Sequence, residues 1–305
     1  MTSGATELER HLADLLESGL ATADRPGYGA WEETAARMVD AQAPGLAERV
    51  RGLAAIPGSD PHWPSRLLEE CALTHLLDEG IRAVATLPRP LAETVRTRAG
   101  LTTDSAEVLH GPDASTLRDR WLVLGRREAR EGRVASRRIW LRGERSRRMA
   151  LHLAFSAPGR PFELRLEPGT AVDAELGYYP AAAPLRVALG PDHGEPAPGR
   201  VPDGVGVHAA LAAYGDALRD DPWQEAWPVV LADVVPLPAG EDAQGWQIAD
   251  AEGESALPLD PRFLRRAGPW RLAALSGGSP LTVFGECGHH GFLPLTAWAP
   301  DPVML

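Results

Sequence analysis

The chain has 305 residues, 44% of them hydrophobic, and carries a formal net charge of −11. This length supplies one large or two ordinary domains with ample apolar side chains for a core, which excludes extensive disorder. No apolar run approaches the ~20 residues of a membrane helix, and the N-terminus lacks the basic start and apolar stretch of a signal peptide. The two cysteines are too few for a disulfide framework or a four-cysteine zinc site. We therefore expect a cytoplasmic globular protein.

The first 115 residues have the periodicity of amphipathic helices separated by prolines. Leucines spaced along one helical face predict a first helix: Leu8, Leu12, Leu15 and Leu16. A second helix is predicted from Trp31 to just before Pro44, whose fixed φ suits the first turn of a third helix ending near Ala55. A fourth helix is predicted to open at Pro64. Its expected apolar face comprises Leu68, Cys71, Ala72, His75 and Leu76.

From Trp121 onward the apolar period changes to two, which is typical of half-buried strands. Runs of alternating apolar and polar residues predict an antiparallel meander in residues 116–190, with strands at 139–141, 151–155, 162–166, 172–179 and 185–189. The Pro- and Gly-rich stretch 191–206 has no periodicity, which predicts an exposed loop. Residues 207–305 are predicted to form a helix at 207–218 and then a small β-rich unit. The strands expected there are 227–237, 245–250, 270–275, 280–286 and 291–299.

These patterns together predict an α+β fold. A helical N-terminal region, 1–115, is expected to pack on the antiparallel sheet of 116–190. The loop at 191–206 then leads to the smaller β-rich C-terminal unit, 207–305.

Basic residues are concentrated in one segment, Arg118–Arg148, which holds 12 of the 31 basic residues of the chain and only four acidic ones. The segment carries about +8, so the remainder of the chain carries the difference from −11, about −19. The candidate binding-surface residues are Arg137, Arg138, Trp140, Arg142, Arg145, Arg147 and Arg148.

Three interpretations of this arginine ribbon stay open. Its arginines could pair with acidic residues on the outward positions of neighbouring strands, namely Glu163, Glu167, Asp173 and Glu175. They could instead form a surface for a protein partner. They could also meet phosphates while an exposed Trp140 stacks on unpaired bases, although an acidic chain repels a polyanion at long range.

The sequence offers weak candidates for a metal and none for catalysis. Cys287 and His289, followed by His290, have the spacing of zinc ligands, but three ligands cannot close a structural site alone, and a polar hairpin turn is the alternative. Cys71 and His75 share a helix face, where a buried thiol and a core histidine are favoured over a metal site. Gly204–Ala209 imitates a nucleotide-binding fingerprint without the preceding strand that it requires. We expect no cofactor and no enzymatic activity.

Several stretches resemble the C-terminal half of actinobacterial SWIM zinc finger family proteins: 28–51, 118–130, 140–155, 162–189 and the ending PLTVFGE…LPLTAWA. The resemblance implies a zinc finger of the form C-x-C…C-x-H upstream, with a binding role, and an association with MoxR-type AAA ATPases and von Willebrand A domain proteins. This sequence contains no C-x-C. Either it is a stand-alone or truncated version, or the true start lies upstream of Met1.

From this resemblance we expect a non-catalytic binding or adaptor protein of a MoxR-type ATPase and von Willebrand A domain system. Its expected partner is therefore a protein, with no membrane involved. The alternative is a nucleic-acid-binding protein that uses the arginine ribbon.

Overall fold

The structure is a computed structural model. It describes residues 2–20, 28–59, 61–101, 103–131, 134–157, 160, 162, 164–239, 245–265 and 268–305. Contacts divide the chain into two units, the first comprising Met1–Thr103, Pro180–Ala183 and Asp220–Trp223, the second Asp104–Tyr179, Pro184–Arg219 and Gln224–Leu305. The four-part division expected from the sequence stays a prediction. No helix among the described residues is long and apolar enough to cross a membrane.

Unit 1 is helical, as the sequence predicts. Its helices are α1 (Thr2–Ser18), α2 (Tyr28–Asp40), α3 (Pro44–Ala54), α4 (Trp63–Ala83) and α5 (Arg89–Ala99). Proline stands in the first turn of α3, α4 and α5, where its missing N–H leaves no hydrogen bond unmade. The buried residues that form its core include Leu8, Leu12, Met38, Leu46, Val50, Leu53 and Leu67.

The face that α4 buries differs from the predicted one. Its buried positions are Leu67, Cys71, Thr74, Leu77 and Asp78, so only Cys71 of the predicted stripe is buried. Leu68 and Leu76 are exposed instead. Because leucines stand in adjacent pairs at 67–68 and 76–77, two neighbouring stripes are almost equally apolar, and periodicity does not choose between them. His75 is exposed near Glu9 and is not a core histidine.

A segment far along the chain, Asp220–Trp223, also belongs to unit 1. Asp221 is buried and accepts a forked hydrogen bond from the Arg98 guanidinium, with its Oδ2 2.6 Å from Nη2. The Trp223 indole donates to the carbonyl of Leu73 at 2.8 Å and joins the helical core. A Cβ at Gly45 would lie 2.4 Å from the Arg98 carbonyl oxygen, so the close approach of α3 to the end of α5 requires glycine.

Unit 2 contains the strands and the other helices of the described residues. The first sheet is built from β1 (Thr116–Glu131), β2 (Val134–Gly143), β3 (Met149–Ser156), β4 (Thr170–Tyr178), β5 (Arg186–His193) and β6 (Ala197–Pro198). The second sheet is built from β7 (Ala226–Pro238), β8 (Trp246–Asp250), β9 (Ala256–Pro258), β10 (Leu281–Gly288), β11 (Gly291–Trp298) and β12 (Pro302–Met304). The helices are α6 (Ser105–His110), α7 (Val207–Asp220), α8 (Pro261–Leu264) and α9 (Gly268–Ser276).

The α+β class is confirmed, but the first sheet is not a simple antiparallel meander. Its order is β1-β2-β3-β5-β4, and β4 pairs with β1 to close a five-stranded barrel. Closure depends on a parallel pairing of β3 with β5, in which Leu151 lies opposite Arg186. The strand predicted at 162–166 is wrong, because residues 164–167 form no strand. Leu166 is nevertheless buried in the barrel core, which explains why its segment has an apolar alternation.

Alternate residues of the barrel strands enter two different cores. Trp121, Val123, Ile139 and Leu141 point inward and form the interior of the barrel. Their neighbours Leu122, Leu124 and Trp140 point outward and pack with the second sheet in the larger core of unit 2. A Cβ at Gly125, next to a bulge in β1, would lie 2.8 Å from the Phe284 ring, so glycine lets β1 approach β10 there.

The C-terminal strands are largely as predicted, with one correction. Strands at 227–237, 245–250, 280–286 and 291–299 correspond to β7, β8, β10 and β11. The run 270–275 is a helix, part of α9, and not a strand. Its alternation is too short to distinguish the two, because Leu272 and Leu275 also lie three residues apart, as on a helix face.

Candidate binding sites

The turn between β2 and β3, residues 143–148, is held by the buried carboxylate of Asp119, which was not among the residues predicted from the sequence. Asp119 on β1 is 1% exposed. Its oxygens accept hydrogen bonds from the backbone N–H groups of Arg120 at 2.7 Å, Ser146 at 2.8 Å and Arg145 at 3.3 Å. Burial alone would raise the pKa of this carboxyl, but the hydrogen bonds outweigh burial and hold its pKa below the usual value.

Replacing Asp119 with asparagine is expected to lower the free energy of unfolding by about 1–3 kcal/mol near neutral pH, because an NH₂ group, which donates and does not accept, replaces one of the two oxygens that accept from backbone N–H groups. A carboxyl with a depressed folded-state pKa stabilises the protein above its unfolded pKa, about 3.9. That contribution disappears as the pH falls through the folded-state value. Urea unfolding of both proteins should therefore show a gap that stays constant from about pH 7 to about pH 5 and narrows as the pH falls below about 4. A gap that does not change with pH would contradict this role for the carboxylate.

The same turn borders a cleft of about 340 Å³, which we call the turn cleft. Four arginines line it, together with two acidic residues and an apolar wall: Arg142, Arg145, Arg147, Arg200, Glu144, Asp203, Leu122, Val201 and Pro202. Arg147 adopts a left-handed backbone conformation, with φ of 60°, which is uncommon outside glycine. The turn cleft therefore gathers three of the seven predicted surface residues.

Trp140 is not an exposed stacking residue, contrary to the expectation for the ribbon. It is 1% exposed, and its indole meets Phe284 edge-on at 6.3 Å between ring centroids. Its Nε1 donates a hydrogen bond to Glu286 Oε1 at 2.9 Å. The face shared by residues 138, 140 and 142 is the outer face of the barrel, which the second sheet covers at Trp140.

Glu286 is a buried carboxylate that faces two arginines, Arg127 and Arg138. Arg127 and Arg138 lie opposite each other on β1 and β2, where two like charges repel. The Glu286 carboxylate lies 3.6 Å from the Arg127 guanidinium and 3.9 Å from that of Arg138. Burial lowers the pKa of Arg127, and the charge of Glu286 opposes that shift. Glu286 therefore allows both arginines to occupy neighbouring strands.

Several other arginines of the ribbon pair with acids of the same unit. Glu167 and Asp173, two of the acids predicted to neutralise them, pair with Arg126 and Arg118. Glu163 lies outside the described residues. Further pairs are Arg120 with Glu144, Arg137 with Glu128, Arg145 with Asp119 and Arg147 with Asp203. Arg137 and Arg148 also lie over the rings of Phe162 and Tyr178, at 4.0 and 3.8 Å.

A larger depression, about 1060 Å³, lies between β1, the α8–α9 region and the last strands. We call it the arginine groove. Five arginines and one glutamate line it, together with apolar side chains: Arg126, Arg127, Arg262, Arg265, Arg271, Glu128, Phe263, Leu293, Leu295 and Met304. Three of the arginines have carboxylate partners, in Glu167, Glu286 and Asp260. Arg265 and Arg271 are exposed and have no ion pair within the described part of the chain.

The arginine groove was not predicted from the sequence, because its residues come from three distant segments. Arg126 and Arg127 belong to the ribbon but are not among the seven candidate binding-surface residues. Arg262, Arg265 and Arg271 lie far along the chain, in a segment assigned to a different unit. The one signal in the sequence is a second and smaller concentration of arginine, at positions 262, 265, 266 and 271.

The weak metal candidates do not come together. Cys287 is buried in the core of unit 2, and burial raises the pKa of its thiol to about 11. His289 and His290 are exposed at the β10–β11 hairpin turn, where His289 contacts the Tyr214 ring at 5.5 Å. Among the described residues, no group of three or more His, Cys, Asp and Glu side chains is placed to hold a metal ion. Cys71 is also buried, away from the exposed His75.

Comparison with known proteins finds one similarity, which covers the first third of the chain. The searches of curated proteins and of solved structures found no match to the chain. A family model, the SWIM-associated four-helix bundle domain, matches residues 1–99, which hold α1–α5 of unit 1. This match is consistent with the C-terminal region of a SWIM-family protein. The N-terminal third of the chain is therefore similar to the SWIM-associated four-helix bundle domain.

Proposed function

We propose that this chain is a non-catalytic binding or adaptor protein, and that its arginine groove takes up an acidic, partly apolar segment of a partner protein. The observation that carries the proposal is the arginine groove itself, which is lined by five arginines, one glutamate and several apolar side chains. Arginine, methionine and aromatic side chains are the residues enriched at protein interfaces. The resemblance to SWIM proteins favours a MoxR-type AAA ATPase or a von Willebrand A domain protein as the partner, in the cytoplasm.

The size and chemistry of the groove favour a polypeptide segment over a small molecule. Its volume of about 1060 Å³ lies at the upper end of ordinary small-molecule pockets, which span roughly 300–1,000 Å³. Arg265 and Arg271 are free to form forked hydrogen bonds with carboxylates. Leu293, Leu295 and Met304 offer apolar contact between them. An occupant with both carboxylate and apolar side chains satisfies both features.

Nucleic-acid binding is the alternative function, and the five-stranded barrel is the one observation that favours it. Five-stranded Greek-key barrels of the OB type bind oligonucleotides across strands 2 and 3 and the adjoining loops. In this chain the second sheet covers the outer face of β2 at Trp140, so a nucleic acid would have to use the arginine groove instead. The net charge of −11 opposes that encounter.

Removing Arg265 and Arg271 together is expected to weaken binding to a purified MoxR-type ATPase or von Willebrand A protein of the source genome about 100-fold. Each hydrogen bond to a charged group contributes about 1.5–3 kcal/mol, and about 1.4 kcal/mol is a factor of ten. Calorimetric titration of the double alanine variant measures the change. The matched control is Arg165→Ala with Arg219→Ala, two exposed arginines outside the groove, and its affinity should stay within about threefold.

Three results would overturn the proposal. One is equal loss of affinity in the groove variant and the control. Another is absence of binding to either partner class. The third is submicromolar affinity for single-stranded DNA or RNA that falls by decades as salt rises and is lost with Arg265 and Arg271, which would assign the groove to nucleic acid.

A further inference from the structure

The turn cleft contains more guanidinium groups than its carboxylates neutralise. Arg145 pairs with Asp119 and Arg147 with Asp203, whereas Glu144 faces Arg120 outside the cleft. Arg142 donates to the backbone carbonyl of Asp203, which carries no net charge. Arg200 is exposed and has no ion pair in the part of the chain that the structure describes. Two positive charges therefore lack a carboxylate.

The cleft arginines converge even though their charges repel. Burial has the largest effect on the pKa of Arg142, which it lowers. The nearby charge of Arg147 lowers the pKa further, and the charge of Asp203 opposes both effects. The buried Nε of Arg142 has no acceptor among the described residues. A guanidinium in this position is held against an electrostatic cost that an anion in the cleft would remove.

Hydrogen bonds to Asp119 hold the turn that carries Arg145 and Arg147 without a ligand. The Asp119 carboxylate fixes its backbone, as described above. A Cβ at Gly143 would lie 2.6 Å from Asp119 Oδ2, so this contact requires glycine. Arg147 keeps its left-handed conformation within this turn, and uncommon backbone conformations of this kind cluster at ligand sites. Binding groups that are already positioned lose little freedom when a ligand binds.

We propose that the turn cleft is a binding site for a phosphate monoester group, carried by a small molecule whose apolar part contacts Leu122, Val201 and Pro202. Guanidinium groups bind phosphate oxygens through paired, charge-assisted hydrogen bonds. A phosphate monoester carries close to two negative charges at neutral pH, which matches the two charges left without a carboxylate. The volume of about 340 Å³ lies at the small end of ligand pockets. This site is separate from the arginine groove and does not depend on the function proposed for it.

Calorimetric titration with inorganic phosphate and with phenyl phosphate, at constant ionic strength, tests the proposal directly. Tighter binding of phenyl phosphate identifies an organic phosphate as the ligand, through contact with the apolar wall. Equal affinity would overturn the proposed contact with the apolar wall and would identify the cleft as a site for inorganic phosphate. No binding of either compound at millimolar concentration would overturn the proposal.

Two substitutions should move the affinity in opposite directions. Arg147→Ala with Arg200→Ala is expected to weaken phosphate binding at least tenfold. Asp203→Asn is expected to strengthen it severalfold, because the Arg147 guanidinium loses its competing carboxylate. The Asp203 side chain is 70% exposed, so its replacement does not threaten the fold.

Arg165→Ala with Arg219→Ala provides the matched control for the double cleft variant, because it also removes two exposed positive charges, away from the cleft. Asp216→Asn on α7 is the matched control for Asp203→Asn. Each control should leave the phosphate affinity within about twofold of the parent. Equal effects from the control variants and the cleft variants would reduce the binding to long-range charge and overturn the site. Circular dichroism of every variant separates loss of binding from loss of folding.

Discussion

Replacing Trp140 with alanine is expected to lower the free energy of unfolding by about 3–5 kcal/mol, the usual cost of removing a buried tryptophan. The substitution removes the contact between the Trp140 and Phe284 rings and leaves a cavity between the barrel and the second sheet. It also removes the indole N–H that donates to the buried Glu286 carboxylate. Urea unfolding, followed by far-ultraviolet circular dichroism, measures the loss.

The matched control is Trp270, which is 70% exposed on α9. Trp270→Ala should change the unfolding free energy by no more than about 1.5 kcal/mol, the usual contribution of an aromatic pair, because the Trp270 ring meets only the Trp246 ring edge-on among the ring contacts of the described residues. Trp140→Phe separates packing from hydrogen bonding, because it keeps an aromatic ring but leaves a buried carboxylate oxygen without its donor, at about 1–3 kcal/mol. A Trp140→Ala variant that is fully stable but loses partner binding would restore the interpretation of this residue as part of a binding surface.

The second large effect is expected at Glu286, which is 4% exposed and faces two arginines and the Trp140 indole. Glu286→Ala should cost about 3–5 kcal/mol, because it leaves a largely buried Arg127 guanidinium without its counter-charge. Burial already lowers the pKa of Arg127 and would then act unopposed by this carboxylate. Urea unfolding near neutral pH measures this loss too.

A double variant distinguishes loss of the ion pair from loss of side-chain volume. Arg127→Met with Glu286→Leu replaces the buried charges by apolar groups, and such replacements are often neutral or stabilising. We therefore expect it to recover most of the stability lost in Glu286→Ala. A double variant as unstable as the single one would show that packing around residue 286, and not its charge, is the main contribution.

The helical part of the chain could be read from local patterns. Prolines at 44 and 64 mark helix starts because a proline has no N–H to donate, a property independent of the rest of the fold. The buried stripe of α4 could not be chosen in the same way. Adjacent leucines make two stripes similar, and contacts with the other helices of unit 1 decide between them.

The strands show the same division between local and distant causes. Alternation at 139–141 and 151–155 correctly predicted β2 and β3. It predicted a meander because consecutive strands usually pair, whereas closure of the barrel requires β3 to meet β5 in parallel and β4 to return to β1. Those pairings join residues far apart in sequence, so no local period contains them.

The sequence by itself determined the α+β class, the start of several helices, most strands and the concentration of arginine near the middle of the chain. The tertiary structure alone decided what those arginines face. Trp140 shares a face of β2 with Arg138 and Arg142, yet the second sheet covers that face at Trp140. The Glu286 carboxylate lies beside the guanidinium groups of Arg127 and Arg138. The arginine groove likewise exists only because β1, α8, α9 and β11 come together. Periodicity reports which residues share a face of one element, and only the packing of distant elements decides which faces stay open to a partner.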